Sequence, residues 1–361
     1  MYSVKVYGAG SIGNHLTHAC RNMGWNVTVC DVDKDALQRM KNEIYPARYG
    51  QWDDNITLKL NEDIKKSDYY DVVIIGTPPE SHMSIALSEL NSKNHPKLIL
   101  IEKPLCVPTL EGCQELSDLS EEKNTIVLCG YNHTLTTHTR EASNISDLGE
   151  CKSIHVQWLE HWGGIFKAHP WLAGPKDSYL GYSSRGGGST YEHSHGIDIW
   201  QHFSLTYGSG RINQVTAMMK QVKDNGVDYD ETTQLIVSTE KGMTGTIVQD
   251  VVTNPPVKCV KIQTEKSNIV WEANKLSGHD SLTVDGKEKL YKKTRPDDFV
   301  GEIEHVDDIL SGKVDPNNSP ISLERGITTM MVAAAGSLSS RIGKKVTIDY
   351  SKGYGEQAFV I

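Results

Sequence analysis

The segment RGGGSTYEHSHGIDIW, residues 185–200, carries three glycines and then a glutamate, two histidines and an aspartate within seven positions. Carboxylate and imidazole groups in such a cluster could bind a metal ion or transfer a proton near neutral pH. His193 and His195 are two residues apart, so on one helix they face different ways, and zinc sites more often use H-x-x-x-H or paired cysteines. The residue types therefore favour proton transfer and predict no metal site, with a plain loop and helix start as the alternative.

A helix over residues 192–200 would set the directions of these side chains. Asp198 lies three positions after His195, on the same helical face, and could orient its imidazole. Glu192 would share that face and could contact a substrate in the same pocket. His193 would point elsewhere, so a structural role is favoured for it.

The stretch VKVYGAGSIGNHLTHACRNMGWNVTVCDVD, residues 4–33, is typical of a buried strand, a G-x-G-x-x-G turn, a helix, and a second strand with an acid at its end. Such glycines allow a tight turn, close approach of the backbone to a pyrophosphate, and close packing of helix on strand. The helix N-terminus offers free N–H groups to phosphates, and the acid can bond ribose hydroxyls while repelling a 2′-phosphate. NAD is therefore favoured over NADP, with predicted contacts from Gly8, Gly10, Ser11, Ile12, Gly13 and Asp31.

Strands and helices continue to alternate up to residue 132. Apolar runs at 71–79, 97–105 and 124–132 predict further strands with helical patterns between them. This alternation predicts an α/β Rossmann domain with a doubly wound parallel sheet, in which ligands bind beyond the carboxyl ends of the strands. Polar groups follow three of those ends, namely Thr77, the Glu102–Lys103 pair and Asn132.

Four motifs together resemble the Gfo/Idh/MocA oxidoreductases: G-A-G-S-I-G, Thr77-Pro78-Pro79 with His82, Glu102-Lys103-Pro104, and Gly130-Tyr131-Asn132. The closing stretch SLERGITTMMVAAAGSLSSRIGKKVTI is also similar to the family pattern, so the resemblance covers nearly the whole chain. It implies a two-domain, NAD(P)-dependent enzyme that acts on a sugar, an inositol or a nucleotide sugar. The resemblance also implies cofactor contacts by Thr77, Pro78, His82, Glu102, Lys103 and Asn132.

The same resemblance gives His195 the position of the family's catalytic histidine and places Lys103 beside nicotinamide and substrate. The form E-x-S-H-x-x-D is most similar to a branch found with surface-polysaccharide genes. Oxidation of an alcohol requires removal of the hydroxyl proton as hydride leaves, which an imidazole can perform, and an ammonium can bind the developing alkoxide. We therefore predict Lys103, His195 and Asp198 as catalytic, with Lys103, Glu192 and His195 also contacting substrate.

Beyond about residue 149 the pattern changes to strand-like stretches with few helices between them. It predicts an α+β second domain with a large, open, mostly antiparallel sheet. The predicted domains are 1–132, which binds NAD, and 133–361, which binds substrate and forms the oligomer. In the family such a sheet forms the subunit interface, so a homodimer or homotetramer is expected. A last helix over 321–342 has a core-like apolar face and could pack back on the first domain.

An aromatic-rich segment precedes the glycines of the second domain. Trp162 and Trp171 could stack on a sugar ring, although ordinary packing under a long loop explains them equally well. One departure from the related branch concerns its Y-N-x-R-F motif, where this chain has Thr134 in place of the arginine. Any anion contact of that arginine is lost here unless His133 or Arg140 supplies it.

The composition excludes several other classes of protein. A net charge of −9 disfavours a nucleic-acid partner, and no apolar run of about 18 residues predicts a membrane span. The N-terminus has no signal-peptide pattern, and seven cysteines, an odd number without a C-x-x-C pair, predict reduced thiols in the cytoplasm.

We therefore predict an NAD-dependent oxidoreductase that moves hydride between nicotinamide C4 and a carbon of a sugar, sugar acid or nucleotide sugar. Three alternatives remain open within the resemblance. They are an enzyme that retains NAD and makes no net redox change, a reductase of linear tetrapyrroles, and a sensor that binds NAD or sugar without catalysis.

Overall fold

The computed structural model describes residues 1–65, 67–169 and 171–361. The chain forms two compact units, each described by itself below. The first unit comprises Met1–Leu105, Gly112–Asn132 and Arg295–Glu324, and the second comprises Cys106–Glu111, His133–Thr294 and Arg325–Ile361. The compact units thus differ from the predicted domains in two segments, because residues 106–111 and 295–324 each pack with the other part of the chain.

The regular elements are numbered in chain order. The strands are β1 Ser3–Tyr7, β2 Asn26–Asp31, β3 Thr57–Leu60, β4 Val72–Ile75, β5 Leu98–Ile101, β6 Ile126–Cys129, β7 Cys151–Leu159, β8 Ile212–Asp224, β9 Val227–Thr239, β10 Thr244–Asp250, β11 Val257–Thr264, β12 Asn268–Leu276, β13 His279–Val284, β14 Lys287–Lys292, β15 Val346–Ile348 and β16 Phe359–Val360. The α-helices are α1 Ser11–Asn22, α2 Lys34–Arg39, α3 Tyr45–Tyr49, α4 His82–Leu90, α5 Cys113–Lys123, α6 Thr137–Ser143, α7 Trp162–Ala168, α8 Gly188–Glu192, α9 His195–Thr206, α10 Arg295–Leu310 and α11 Leu323–Ile342.

The first unit is built on a six-stranded sheet with the order β3-β2-β1-β4-β5-β6, and all its strand pairs are parallel. Every residue of β4 and β5 is buried, as expected for strands covered by helices on both faces. The strand order reverses between β1 and β4, and this is where doubly wound sheets open a crevice for ligands. The turn after β1 and the turn after β4 therefore lie at the position where a dinucleotide is expected.

The second unit is built on a ten-stranded sheet with the order β14-β13-β12-β11-β7-β10-β9-β8-β15-β16. Its strand pairs are antiparallel except for β7 with β10. Helix α9 packs on one face, where the indole of Trp200 donates a hydrogen bond to the carbonyl oxygen of Ile154 at 2.9 Å. The other face leaves apolar side chains such as Met218 and Ile236 exposed, because strand residues alternate between the two faces.

These observations confirm the predicted fold class, a Rossmann sheet followed by an open, mostly antiparallel sheet.

The last helix begins at Leu323 rather than at 321, and from Arg325 onward it belongs to the second unit. A Cβ at its Gly336 would lie 2.9 Å from the Leu235 side chain of β9, so this helix packs closely on the second sheet. All seven cysteines are buried. In the described part of the chain, no helix combines the length and apolar character that a membrane crossing needs.

Candidate functional site

The turn between β1 and α1 has the shape that a dinucleotide requires. Gly8 has φ +99°, and a Cβ there would lie 2.8 Å from the carbonyl oxygen of Gly76. A Cβ at Gly13 would lie 1.9 Å from the carbonyl oxygen of Gly8, so only glycine lets the helix approach the strand so closely. A Cβ at Gly10 would meet no atom within 4 Å, so the backbone there borders open space. The three glycines thus meet the three separate needs expected of them.

Asp31 closes this turn at the end of β2. Its carboxylate accepts hydrogen bonds from the backbone N–H of Ala9 at 2.8 Å and of Asp33 at 2.9 Å. The predicted acid therefore lies directly against the glycine turn.

At the start of α1, Ser11 is buried and Ile12 is half-buried. The Arg48 guanidinium donates hydrogen bonds to the Oγ and the carbonyl oxygen of Ser11 at 2.7 and 2.8 Å. Arg48 is a cation beside the predicted phosphate site that no sequence motif indicated.

The loops after β4 and β5 are joined by His82. Its Nε2 lies 2.8 Å from the carbonyl oxygen of Thr77, and its Nδ1 lies 3.0 Å from that of Pro104. The ring is fully buried, and burial lowers the pKa of His82. Both ring nitrogens thus face protein backbone, so His82 acts on the predicted cofactor site by holding Thr77 and the neighbouring Pro78 in place. The Thr77 hydroxyl lies 2.7 Å from the Ser81 hydroxyl.

Beyond β5 and β6, Glu102 and Asn132 lie near the buried carboxyl group of Glu302. The Glu102 carboxylate accepts the backbone N–H of Lys103 at 3.2 Å and lies against Gly130, where a Cβ would be 3.0 Å from its Oε1. The side-chain amide of Asn132 donates to Glu302 at 3.4 Å, and Glu302 is fully buried in α10. Burial, reinforced by the charge of Glu102, raises the pKa of Glu302 well above its usual range.

Glu302 was missed because its helix comes about 170 residues after Asn132 in the sequence. The predicted residues Glu102, Lys103 and Asn132 do lie at neighbouring strand ends, because β5 and β6 are adjacent in the sheet. Lys103 itself is half-buried.

His195 is the only residue between Gly186 and Ser204 that is not buried. Its ring stacks on Trp158, with centroids 5.4 Å apart and planes at 26°, and the ring of His133 approaches it edge-on at 4.8 Å. Trp158 and His133 are themselves buried. The fold thus holds one partly exposed residue, His195, in an otherwise buried segment, with its ring stacked on Trp158.

The expected continuous helix over 192–200 is not observed. Helix α8 ends at Glu192 and α9 begins at His195, with a turn between them. Glu192 and His195 therefore do not share one helical face, and the Glu192 carboxylate accepts a hydrogen bond from the Tyr179 hydroxyl at 2.8 Å. The Nε2 of His193 lies 3.3 Å from the carbonyl oxygen of Glu160, in keeping with the structural role favoured for it.

Asp198 makes a different contact from the one expected. Its carboxylate accepts a hydrogen bond from the Thr329 hydroxyl of α11 at 3.3 Å, not from the His195 imidazole. Burial raises the pKa of Asp198 well above its usual range, and the charge of Arg325 only partly offsets this. Asp198 and His195 are three positions apart in α9, as expected, but the hydrogen-bond partner of Asp198 comes from the neighbouring helix α11.

The two candidate tryptophans have different surroundings. Trp162 is buried with Leu180, Tyr229 and Val251, so ordinary packing, the alternative left open above, explains its position. Trp171 is half-buried, and its ring lies 5.3 Å edge-on from that of His169. Of the two, Trp171 has the more accessible surface for a ligand.

The departure at Thr134 also has a structural explanation. Thr134 is buried in a short helical turn next to His133, whose ring fills the space beside His195 and Trp158. Arg140 is exposed on α6. Within residues 1–65, 67–169 and 171–361, no three His, Cys, Asp or Glu side chains are arranged to hold a metal ion.

Comparison with known proteins assigns the first domain. Residues 2–131 match the GFO_IDH_MocA family model, described as "Oxidoreductase family, NAD-binding Rossmann fold".

Two curated proteins are similar over part of the chain. A "Glycosyl hydrolase family 109 protein" of Shewanella pealeana is 27% identical over 140 residues, covering 36% of this chain and 29% of that protein. The "1-carboxy-3-chloro-3,4-dihydroxycyclo hexa-1,5-diene dehydrogenase" of Comamonas testosteroni is 28% identical over 123 residues, covering 34% and 28%. The chain therefore matches less than a third of the length of either relative.

The fold is shared over nearly the whole chain. The WlbA dehydrogenase from Bordetella pertussis, solved in complex with NADH and UDP-GlcNAcA, superposes with a TM-score of 0.72 over 96% of this chain and 98% of that one, at 16% identity. At such low identity this likeness concerns the fold alone. The family match agrees with the resemblance drawn from the sequence motifs: residues 2–131 match the Gfo/Idh/MocA oxidoreductase model and form its NAD-binding Rossmann fold, and the two-domain fold is shared over nearly the whole chain.

Proposed function

We propose that this protein is an NAD-dependent dehydrogenase acting on a CH–OH group of a sugar, sugar acid or nucleotide sugar. The observation that carries the proposal is the placement of His195, the one partly exposed residue in a buried segment. The similar fold of a dehydrogenase solved with NADH and UDP-GlcNAcA supports the substrate class. A partly exposed histidine stacked on a tryptophan suits a substrate with hydroxyl groups and apolar C–H faces.

The residues of the glycine turn fit the cofactor. Open space at Gly10 leaves room for a pyrophosphate, the first N–H groups of α1 can bind its oxygens, and Asp31 can bond ribose hydroxyls. When bound, NAD supplies nicotinamide C4 as the hydride acceptor or donor. Thr77 and Pro78, which His82 holds in place, would line the cofactor site from the neighbouring strand end.

His195 and Lys103 would act on the reacting oxygen. In the oxidation direction the His195 imidazole takes the hydroxyl proton, and in reduction it returns the proton to the same oxygen. The half-buried Lys103 ammonium would bind that oxygen and stabilise the charge that develops on it. Asp198 would support His195 only through the rigidity of α9 and α11, because its own hydrogen bond goes to Thr329.

The test is a screen of sugars, uronates, inositols and nucleotide sugars that follows NADH absorbance. With a substrate in hand, His195→Ala and Lys103→Ala should each lower turnover by about a hundredfold or more while the Kd for NADH stays within about twofold. His279→Ala and Lys93→Ala are matched controls, since both side chains lie outside the proposed site, and should leave turnover unchanged. Near-normal turnover in either site variant would refute that residue's role. Product formed without NADH would favour the alternative in which the enzyme retains NAD.

We also propose that the open face of the second sheet joins copies of this chain into a dimer or tetramer. The exposed Met218 and Ile236 on this face are the kind of side chains that a subunit interface buries. Light scattering would measure the assembly, and Ile236→Lys should shift it toward monomer. A monomeric wild-type protein would contradict the proposal.

A further inference from the structure

Asp230 in β9 is a buried carboxylate that accepts five hydrogen bonds. It is 1% exposed. Its Oδ1 accepts the Ser183 hydroxyl at 2.8 Å, and its Oδ2 accepts the Ser189 hydroxyl at 2.6 Å. The Oδ2 also accepts the backbone N–H of Thr190 at 2.6 Å, the Thr190 hydroxyl at 2.8 Å and the Thr233 hydroxyl at 3.0 Å. Five donors meet the charge of one carboxylate, so its burial is fully compensated by hydrogen bonds.

Four of these five hydrogen bonds come from residues 183–190, the segment that leads into α8. The Ser183 hydroxyl also accepts the backbone N–H of Asp230 at 3.1 Å, so the two chain segments bond in both directions. The hydroxyls of Ser189 and Thr190 also lie 2.9 and 2.7 Å from that of Thr233, so the three hydroxyls and the carboxylate form one polar cluster. Asp230 is therefore the centre of the network that shapes this segment.

The glycines of the segment fit around Asp230. Gly188 has φ +79°, and a Cβ there would lie 2.3 Å from the Asp230 Oδ1. A Cβ at Gly187 would lie 2.2 Å from the carbonyl oxygen of Tyr179. Protein atoms thus occupy the space beside these glycines, so this glycine run lets the chain pack closely around a carboxylate.

We propose that Asp230 is a positioning residue that sets the location of the His195 imidazole. Helix α8 starts at Gly188, in contact with Asp230, and only a two-residue turn separates its end from His195. On its other side His195 is held by α9, where Gly196 lies so close to Trp158 that an added Cβ would be 3.0 Å from the Cβ of that tryptophan. Asp230 therefore fixes the chain on the N-terminal side of His195. The packing against Trp158 fixes the chain on its C-terminal side. This inference rests on the proposed function of His195.

The change Asp230→Asn keeps the shape of the side chain but replaces one acceptor oxygen with a donor. Asn can keep its oxygen at the Oδ2 position, but that single neutral oxygen is a weaker acceptor for the Thr190 N–H and the hydroxyls than the charged carboxylate. The weaker hydrogen bonds should loosen the start of α8, and His195 would move with it. Thr233→Val is a milder variant, because it removes one donor and leaves the carboxylate intact.

Asp250→Asn is the matched control. Asp250 is also a buried carboxylate in the second sheet, and it accepts two backbone N–H groups and a hydroxyl, but these come from the local turn at Val252 and Thr253. The Asp250→Asn change should therefore alter the turn at Val252 and Thr253 and leave the structure of residues 186–196 unchanged.

The experiment measures hydrogen–deuterium exchange and His195 titration in the full-length protein. In Asp230→Asn, peptides covering 186–196 should exchange about tenfold faster or more, and the NMR titration of the His195 ring should shift. Exchange in residues 3–31 and the Kd for NADH should stay as in the wild type. Thr233→Val should lie between wild type and Asp230→Asn. Unchanged exchange and an unchanged His195 titration in Asp230→Asn would overturn the proposal, as would the same changes in Asp250→Asn.

Kinetics then separate positioning from general stability. With any substrate that the NADH screen identifies, Asp230→Asn should lower kcat by about a hundredfold and change KM by less than about threefold, because a small misplacement of a catalytic group acts on the chemical step. A variant with a lower Tm but normal kcat would show a purely structural role and overturn the proposal. If the screen finds no substrate, the dehydrogenase proposal fails, while exchange and titration still decide the role of Asp230.

Discussion

The chain has two glycine-rich turns that serve opposite purposes. In residues 8–13, the glycine nearest the predicted cofactor leaves open space, since a Cβ at Gly10 would meet nothing within 4 Å. In residues 186–190, the corresponding space is filled, and a Cβ at Gly188 would lie 2.3 Å from Asp230. The first turn is shaped to admit a ligand and the second to pack around a carboxylate. A glycine run by itself therefore does not identify a phosphate site.

The two turns also differ in where their partners come from. Several contacts of the first turn lie inside the motif or at the end of the next strand, as for Gly13 with Gly8 and Ala9 with Asp31, although Gly8 also packs against Gly76 after β4. The second turn depends on Asp230, which follows Thr190 by 40 positions. Contacts between residues close in sequence produce a motif with a recognisable spacing, whereas contacts between residues far apart in the chain do not.

The largest effect is expected at the first turn, from Gly13→Ala. Alanine is the better helix former, yet its Cβ would lie 1.9 Å from a backbone oxygen that cannot move aside. We expect a loss of about 3 kcal/mol or more in the free energy of unfolding and loss of NADH binding, measured by urea unfolding and fluorescence titration.

Gly10→Ala is the matched control for that variant. With open space around its Cβ it should change the free energy of unfolding by no more than about 1 kcal/mol, while NADH affinity falls about tenfold or more. Wild-type NADH affinity in Gly10→Ala would show that the open space is not the cofactor's.

The next largest effect is expected at the second turn, from Gly188→Ala. The positive φ and the contact with Asp230 should together cost about 2 to 3 kcal/mol of unfolding free energy, with the Kd for NADH unchanged. Gly208→Ala has a similar φ of +74° and no atom within 4 Å, so it isolates the backbone strain and should cost only about 1 kcal/mol. Equal losses in the two variants would argue against close packing around Asp230.

Acid should weaken the second unit through His138. Burial lowers the pKa of His138 to about 4, helped by the charge of Lys293 and opposed by Asp280. The unfolded chain takes up this proton from its usual pKa of 6.5, so the stability is full above that pH and falls between pH 6.5 and about 4. The loss is on the order of 3 kcal/mol for this group.

Tryptophan fluorescence is a suitable probe of this loss, since five of the seven tryptophans belong to the second unit. Urea unfolding at a series of pH values should show a flatter dependence in His138→Gln than in the wild type. Parallel pH profiles for the two proteins would exclude His138 as the group responsible.

The smallest effect is expected at Asp31. Asp31→Asn removes the charge that repels a 2′-phosphate and weakens the acceptor for ribose hydroxyls, so the preference for NADH over NADPH should fall about tenfold. Asp33→Asn, two positions further on, alters a carboxylate that caps α2 by accepting the N–H of Asp35 and should leave the ratio unchanged. Titration of each variant with both dinucleotides measures the ratio. An unchanged ratio in Asp31→Asn would place the ribose elsewhere.

Much of the first unit could be predicted from the sequence because its signals are local. The strand-like runs 71–79, 97–105 and 124–132 contain β4, β5 and β6, and Asp31 lies against the glycine turn as its spacing suggested. In the second unit the strand-rich pattern was correct, but the side-chain roles were harder to predict. Trp162 is buried in a hydrophobic cluster, and Asp198 bonds Thr329, because residues distant in the sequence pack around both.

The sequence alone determined the order of elements, the family resemblance of residues 2–131 and the dinucleotide turn, since periodic burial and short-range steric limits depend on neighbouring residues. Only the tertiary structure decided that His195 is the partly exposed residue of its segment, that Glu302 is buried beside Asn132, and that Asp230 bonds the second glycine turn. Those three features depend on side chains from distant elements, and burial and hydrogen bonding become definite only when the folded chain brings such elements together.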